Sequence, residues 1–360
     1  MNAAPVIDLP ALRANDADAI RAVRTGLGDF GLVYVRGHGI DLERVDRLYD
    51  AYVDVLSRPT PEKATWGGSE IWFQRGWTPP NTEQAVVAGG RPDFKECFFA
   101  SAIEPDPNCE RWFPQLFARN VWPDGADAFR TDLMAVGRAV HGVGLELLRG
   151  CATALDLPPD TLVDLTRGAA NVTRLLRYLP LTPDQARDGL LWGEEHTDFN
   201  LLTLLPGGAF FRDGARTSDR PTGCGLRLRT RPTDAHPLGE QVSGRPPPGC
   251  LVVQVGQQLE ILTGGALVAT PHVVTPPGEA GWSRCSLAHF VHVHPQRTLF
   301  PLDRFSASAD AYAPPVLAGT YAVKTLVDIG LAPAEALNAL GYRHYGRLAT
   351  IREAELGLPG

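Results

Sequence analysis

The sequence predicts a mainly β protein, with a sandwich or barrel of antiparallel strands flanked by helices at both ends. From Asn171 onward, short β-rich runs such as NVTRLLRYL, FNLLTLLP, GCLVVQVG and SRCSLAHFVHV alternate with turns, a pattern typical of an antiparallel sandwich or barrel. Segments with helical periodicity precede and follow this region. The hydrophobic fraction of 44% is that of a globular protein, and a chain of this length buries about three quarters of its unfolded surface.

The first 60 residues predict strand, helix, strand and helix in turn. PVIDL and GLVYVRGHGI are the strands, each followed by apolar residues at the 3.6-residue spacing of a helix. Residues 66–125 are aromatic, proline-rich and irregular, so they either pack a junction between helices and sheet or line an opening. Apolar residues from Phe129 to Leu148 predict one long helix after Pro123.

The chain therefore divides into four regions that we expect to form one structural unit. They are an amino-terminal α/β region (residues 1–125), a long-helix region (126–170), a β core (171–302) and a helical tail (303–360).

Composition excludes several classes of function. The net charge of −7 and the lack of any basic run oppose binding to nucleic acid. No run of 18 apolar residues and no basic leader is present, so we expect no membrane span and a cytoplasmic location. The six cysteines are scattered without a C-x-x-C pair, which predicts reduced thiols and no disulfide framework. We expect a monomer or weak oligomer that acts on a small molecule.

Three residues have the spacing of a metal site. In GEEHTDFNLL, His196 and Asp198 stand two residues apart in a segment with strand character, so both side chains would leave on the same face. His272, in TPHVVTP, could complete a face of two histidines and one carboxylate. That ligand set suits non-haem Fe(II), because the remaining positions stay open for dioxygen and a chelating cosubstrate.

A second pair has the chemistry of a carboxylate receptor. Arg284 and Ser286 again stand two apart in a predicted strand, and a guanidinium beside a hydroxyl can bind a carboxylate with charge-assisted hydrogen bonds. Each motif alone occurs often by chance. Their order and spacing, together with the surrounding sequence, make the combination specific.

The chain resembles the isopenicillin N synthase-like branch of the Fe(II)/2-oxoglutarate dioxygenases over roughly residues 5–302. The matching stretches include HTDFNLLTLLPGG, GLRLRTR, PPPGCLVVQVGQQLEILTGGALVATPHVV and RCSLAHFVHVHP, with GLVYVRGHGI and RPDFKECFF in the amino-terminal half. The resemblance implies a distorted jelly roll (double-stranded β-helix), which agrees with the predicted β core.

The resemblance also implies roles for particular residues. His196, Asp198 and His272 match the family's metal ligands, and Arg284 and Ser286 match the pair that holds the distal carboxylate of 2-oxoglutarate. Phe290, six residues after Arg284, would form part of the pocket wall. With Fe(II), 2-oxoglutarate and O2, such an enzyme hydroxylates, desaturates or cyclises a small molecule and releases succinate and CO2.

The sequence departs from the family pattern at three places. Residues 177–179 (Arg-Tyr-Leu) replace an Asn-x-Tyr motif whose Tyr contacts the cosubstrate, which leaves any role of Tyr178 open. Gln257 stands where relatives often have Asp. Residues 212–222 are longer than usual, and we expect a surface insertion rather than a substrate lid.

Three other functions fit parts of the pattern. An isopenicillin N synthase-like or aminocyclopropane carboxylate oxidase-like Fe(II) oxidase would keep the same motifs without using 2-oxoglutarate. A zinc hydrolase could use the same ligands with Glu194 or Glu195 as general base, but the Arg284 and Ser286 pair would then have no purpose. A non-catalytic binding protein could keep the scaffold alone.

The irregular aromatic region contains the candidates for substrate contact. Phe73, Arg75 and Trp77 fall, with Gln74, in the irregular aromatic region. They could form a recognition patch for an acidic or aromatic small molecule, or they could pack the core with Arg75 in solvent. His289, His292 and His294 are expected to be ordinary core or surface histidines, because strand alternation lets only two of them converge.

Overall fold

The computed structural model describes residues 4–84, 93–230 and 239–340. Residues 341–360 of the predicted helical tail lie outside this range. The strands in it are β1 (Val6–Asp8), β2 (Leu32–Arg36), β3 (Gly76–Thr78), β4 (Lys95–Ala100), β5 (Val172–Tyr178), β6 (Gly193–His196), β7 (Leu202–Leu205), β8 (Gly208–Arg212), β9 (Ala215–Thr217), β10 (Gly225–Arg229), β11 (Gln241–Ser243), β12 (Leu251–Val255), β13 (His272–Thr275), β14 (Trp282–Val291), β15 (Thr298–Leu299) and β16 (Val316–Leu317).

The helices confirm most of the predicted elements outside the β core. They are α1 (Leu9–Arg13), α2 (Ala17–Thr25), α3 (Leu42–Leu56), α4 (Thr60–Lys63), α5 (Asp127–Ala154), α6 (Thr161–Asp164), α7 (Pro183–Arg187), α8 (Gln257–Leu262), α9 (Ala318–Asp328) and α10 (Glu335–Ala339). The predicted long helix is α5, and the strand–helix–strand–helix order of the first 60 residues is present. Helix α8 was not predicted, because its six residues are too few to show a period.

The strands form two main sheets. The larger has the order β1-β2-β12-β7-β14-β5-β4-β3, and the β8–β9 hairpin pairs with the amino-terminal half of β14. The smaller has the order β11-β10-β13-β6. Except for parallel β1 and β2, the pairs in both sheets are antiparallel. This arrangement confirms the predicted jelly-roll core.

The two sheets pack face to face over an aromatic interior. Tyr178, Phe210 and Ala288 from the larger sheet share a buried cluster with Val274 from the smaller sheet and with Trp192. The opposite face of the larger sheet packs on α3 and α5, in a core that extends along the chain from Ile7 to Tyr321. Strand β14 therefore has one face toward the smaller sheet and the other toward the helices.

The stretch at residues 212–222 continues the β8–β9 hairpin. Strand β9 pairs with β8, and Arg216 lies 2.6 Å from Asp46 and 2.7 Å from Asp50, both on α3. Strand β9 and the residues that follow it are an exposed extension of the larger sheet, and ion pairs hold it against α3.

A chain of buried polar groups joins α5 to β14. Nδ1 of His141 lies 3.0 Å from Nε2 of His289, and Nδ1 of His289 lies 2.9 Å from the hydroxyl of Thr173. Burial lowers the pKa of His141 to about 4 and lowers the pKa of His289 well below its usual range. Both imidazoles are therefore neutral at pH 7.

We expect the free energy of unfolding to fall as the pH decreases from 7 to 5. In the unfolded chain the two histidines take up protons near pH 6.5, whereas in the folded protein they stay neutral. Their contribution to the free energy of unfolding is therefore fully present above pH 6.5 and decreases as the pH falls below it. His141 alone accounts for roughly 2 kcal/mol over this interval. Urea unfolding at several pH values measures the slope. In the matched variant His141→Gln the slope should be smaller, and an identical slope would contradict the assignment.

Candidate metal centre

Three potential ligand atoms converge where the smaller sheet meets the loop before β7. His196 ends β6 and His272 begins β13, and the two residues are register partners. Their Nε2 atoms lie 3.7 Å and 4.0 Å from Oδ1 of Asp198. Because the three ligand atoms lie within 4.8 Å of one another, one metal ion can contact all of them after small side-chain shifts.

Asp198 is placed by the loop and not by strand alternation, which corrects the sequence argument. Strand β6 ends at His196, so Asp198 lies in the connection to β7. The hydroxyl of Thr203 donates to Oδ2 of Asp198 at 2.6 Å, and the Asp198 carbonyl accepts from the backbone N–H of Gln257 at 2.8 Å. These contacts leave Oδ1 facing the two imidazoles.

The protonation states fit a divalent metal. Nδ1 of His196 lies 2.7 Å from the Glu194 carbonyl, to which it donates, so its Nε2 lone pair is free. Burial lowers the pKa of His272 to about 4. Burial alone would raise the pKa of Asp198, but His272 and His196 outweigh it and lower that pKa. Two imidazole nitrogens and one carboxylate oxygen are the donor set that Fe(II) takes in non-haem oxygenases.

Gln257 is a site residue whose role the sequence did not reveal. Its Nε2 donates to the hydroxyl of Thr197 at 2.6 Å, and its Oε1 accepts from the hydroxyl of Tyr321. Thr197 lies between two of the potential ligands, so Gln257 joins the ligand loop to both α8 and α9. The one signal in the sequence was the departure from the Asp that relatives often carry.

Arg284, Ser286 and Phe290 lie on the face of β14 that is turned toward the smaller sheet. The guanidinium of Arg284 lies 5.7 Å from the ring of Tyr178 and 5.9 Å from the ring of Phe210. Among the described residues we find no hydrogen bond or ion pair for this guanidinium. A cation held between two rings without an anion is ready to bind one.

The larger sheet has Arg284, Ser286 and the potential metal ligands on the same side. Phe290 of β14 is the register partner of Thr203, and the hydroxyl of Thr203 is bonded to Asp198. Ser286 is buried and pairs with Gly208. This register places the three potential ligands beside the Phe290 end of β14, on the face that also carries Arg284 and Ser286.

In the aromatic segment before β4, Trp77 and Phe73 pack against two different buried clusters. Trp77 donates its indole N–H to Glu96 at 3.0 Å and belongs to the core that packs on the helices. Trp77 therefore has the core packing that was the second of the two alternatives for this segment. Phe73 is half-buried and packs on the cluster that contains Leu116.

Arg75 is buried and not in solvent. Its guanidinium donates to the carbonyls of Gln74 at 2.6 Å and Leu116 at 3.0 Å, and its Nε has no partner. Burial lowers the pKa of Arg75 to about 10. Within residues 4–84, 93–230 and 239–340 it has no acidic partner. The neighbouring Gln74 lines a cavity of about 30 Å³ together with Phe199 and His292.

The three histidines at the end of β14 have separate surroundings. His289 faces α5, and the ring of His292 lies 5.1 Å from that of Phe199 at the cavity. His294 lies beside Asp106 and Cys109. Glu195 is held in an ion pair with Arg229 on β10.

Two family models match the chain. One, described as non-haem dioxygenase in morphine synthesis N-terminal, matches residues 4–125, and the other, the 2OG-Fe(II) oxygenase superfamily, matches residues 170–293. The chain belongs to the 2OG-Fe(II) oxygenase superfamily. It is an Fe(II)- and 2-oxoglutarate-dependent oxygenase that uses O2. The matches do not support the predicted alternative of an Fe(II) oxidase without 2-oxoglutarate.

Relatives and solved structures of this superfamily cover most of the chain. The 2-oxoglutarate-dependent dioxygenase ecdK of Aspergillus rugulosus is 26% identical over 79% of this chain and 85% of its own length. Leucoanthocyanidin dioxygenase 1 of Oryza sativa subsp. indica is 27% identical over 74% of this chain and 66% of its own length.

Solved structures show the same fold. A 2OG-Fe(II) oxygenase family protein from Caulobacter crescentus has a TM-score of 0.74 and 25% identity, and the match covers 91% of this chain and all of that protein. The dioxygenase for auxin oxidation of rice has a TM-score of 0.66 and 21% identity over 93% of this chain and 99% of its own.

No helix in the described part of this chain is long and apolar enough to cross a membrane.

Proposed function

We propose that His196, Asp198 and His272 hold the Fe(II) of this oxygenase, and that Arg284 and Ser286 bind the distal carboxylate of 2-oxoglutarate. The proposal rests on the guanidinium of Arg284, which is held between two rings and has no anionic partner in the described part of the chain. Bound Fe(II) with 2-oxoglutarate supplies the activation of O2, with release of succinate and CO2.

The protein positions the reactants and excludes water. Arg284 and the Ser286 hydroxyl donate hydrogen bonds to the carboxylate, while the rings of Tyr178 and Phe210 shield the contact from solvent. At the other end of the pocket, Thr203 keeps one oxygen of Asp198 turned toward the histidines.

Gly208 sets the space available to the Arg284 side chain. A Cβ atom at this position would lie 3.0 Å from Nη2 of Arg284 and 2.7 Å from the Cys285 carbonyl.

We therefore expect Gly208→Ala to displace the guanidinium of Arg284. The Kd for 2-oxoglutarate should rise by about tenfold, because roughly one charge-assisted hydrogen bond to its carboxylate is lost. Calorimetry on the Fe(II)-loaded protein measures this Kd. Gly278→Ala, in the exposed loop between β13 and β14, is the control, because a Cβ there meets no atom within 4 Å and the residue does not need a left-handed φ. An unchanged Kd in Gly208→Ala would argue against binding at Arg284.

We propose that the substrate enters beside Phe290 and places a terminal group in the cavity next to His292. Burial lowers the pKa of His292 to about 4, so at pH 7 it is a neutral hydrogen-bonding group. The charge of Arg75, which has no acidic partner in the described part of the chain, favours an acidic substrate, and the ring of Phe199, which lines the cavity, favours an aromatic one. The cavity of about 30 Å³ has room for one small group and not for a whole substrate.

A matched substrate panel tests this proposal. Aromatic carboxylic acids and their neutral amides are assayed for succinate formed above the rate without substrate. We expect members of the acid set to stimulate succinate release more than their amides, and His292→Ala to lose the stimulation while it keeps the unstimulated rate. Stimulation by the amides alone would contradict the acidic substrate class without affecting the cosubstrate assignment.

The net charge and the free thiols bear on the partners and the location of the enzyme. A net charge of −7 opposes nucleic acid, and the cysteines of the described chain are free thiols, as in a reducing compartment. We propose a cytoplasmic monomer or weak oligomer that acts on small molecules.

A further inference from the structure

A second group of potential ligands lies where the aromatic segment meets the end of β14. Sγ of Cys109 lies 3.3 Å from Nε2 of His294, and the same Nε2 lies 3.4 Å from Oδ2 of Asp106. The three ligand atoms lie within 4.8 Å of one another. None of these residues takes part in the iron centre or the cosubstrate pocket.

The distances fit a tetrahedral metal. Zinc bonds of about 2.3 Å to sulfur and about 2.0–2.2 Å to nitrogen and oxygen, at tetrahedral angles, place sulfur and nitrogen about 3.5 Å apart. They place nitrogen and oxygen about 3.4 Å apart. Both observed separations agree with these values. A thiolate, an imidazole and a carboxylate are also the donor types that zinc takes.

The backbone holds the ligands in place. The N–H of Asp106 donates to the Gly168 carbonyl at 2.9 Å, and the N–H of His294 donates to the Leu165 carbonyl at 2.7 Å. Oδ1 of Asp106 accepts from the backbone N–H of Asn108 at 2.9 Å, which leaves Oδ2 toward His294. Two distant parts of the chain are thus brought to one point by a third segment, residues 165–168.

Burial gives the site a protected and an open side. Cys109 is fully buried, whereas the side chains of His294 and Asp106 are 13% and 31% exposed. A metal held by all three would have its sulfur ligand shielded from solvent. Its fourth position would face the exposed carboxylate side, where water can complete a tetrahedron.

We propose that Asp106, Cys109 and His294 form a second metal site, which binds Zn²⁺ and fastens the segment at residues 106–109 to the end of β14. Binding displaces the thiol proton of Cys109. Binding also requires the ring proton of His294 to move from Nε2 to Nδ1. Nδ1 then no longer accepts the long 3.3 Å hydrogen bond from the backbone N–H of Gln296. Affinity should therefore rise with pH.

Cobalt(II) distinguishes the two sites, because the iron centre has no sulfur ligand. We expect metal-free, full-length protein to bind two Co²⁺ per chain, one of them with a near-ultraviolet sulfur-to-cobalt charge-transfer band. Asp198→Ala should keep the band and bind one Co²⁺. Zn²⁺ added to Asp198→Ala should remove the band by competition and raise the melting temperature.

Variants of the second site identify its ligands. Cys109→Ser should lose the band, and His294→Gln should weaken Co²⁺ binding by about a hundredfold. Cys224→Ser is the matched control, since its half-buried thiol contacts the Pro221 carbonyl and no potential ligand of this group, and it should keep the band. Asp106→Asn, at a partly exposed position, should keep the fold and weaken binding by more than about tenfold.

Two results would overturn the proposal. One is the absence of the charge-transfer band from folded wild-type protein at saturating Co²⁺, which would make the three residues a hydrogen-bonded cluster only. The other is a band that survives in folded Cys109→Ser, which would assign it to another cysteine. If Cys109→Ser does not fold, the test is the Co²⁺ affinity of Asp106→Asn, measured from the charge-transfer band and compared with that of the wild-type protein. Equal affinities in the two proteins would overturn the proposal.

Discussion

Asp198→Ala is expected to abolish turnover and to lower the affinity for Fe(II) by more than about a hundredfold. The carboxylate is the one anionic ligand among the three, and both histidines face its Oδ1. The fold should remain, because Asp198 lies in a loop whose backbone is separately bonded to Gln257. Metal content after desalting, turnover and circular dichroism measure the three outcomes.

A carboxylate far from the site provides the control. Asp310 is exposed in the 3-10 segment Asp303–Tyr312, so Asp310→Ala should leave iron content and turnover unchanged. Near-native iron content in Asp198→Ala would remove this residue from the metal centre.

Arg284→Ala is expected to raise the KM for 2-oxoglutarate by more than about tenfold. A shielded, charge-assisted contact is worth about 1.5–3 kcal/mol, and each 1.4 kcal/mol corresponds to about a factor of ten. Steady-state succinate formation at varied 2-oxoglutarate measures this KM. Arg284→Lys should have an intermediate effect, since it keeps the charge and loses the planar, two-pronged donor.

The neighbouring hairpin supplies a matched arginine. Arg212 on β8 is exposed and lies 5.0 Å from the ring of Trp282, so Arg212→Ala also removes a cation that lies over an aromatic ring. Its KM should stay at the wild-type value. Equal increases in both variants would indicate a general effect on the hairpin.

The sequence could predict the parts of the site that follow from strand periodicity. Arg284, Ser286 and Phe290 are separated by even numbers of residues in β14, and each of the three pairs with a neighbouring strand on both sides. Alternation then determines which face each side chain takes. The jelly roll could be predicted for the same reason, since its strands are short, regular and separated by turns.

The rest of the site depends on contacts between distant segments. Asp198 owes its orientation to Thr203 and to the backbone of Gln257, and neither contact is encoded in local periodicity. The burial of Arg75 and the inward turn of Trp77 depend on how an irregular segment packs. Gly208 is predicted only as part of a turn until the position of the Arg284 guanidinium is known.

The visible spectrum of anaerobic, Fe(II)-loaded protein mixed with millimolar 2-oxoglutarate tests the metal ligands and the carboxylate anchor together. Chelation of the metal by the keto acid should produce a weak charge-transfer band in the wild-type protein. At the same 2-oxoglutarate concentration, Asp198→Ala should lack the band through loss of the iron, and Arg284→Ala through loss of the carboxylate anchor. A folded, iron-loaded wild-type protein without the band, or a band of full intensity in Asp198→Ala, would contradict the proposed site.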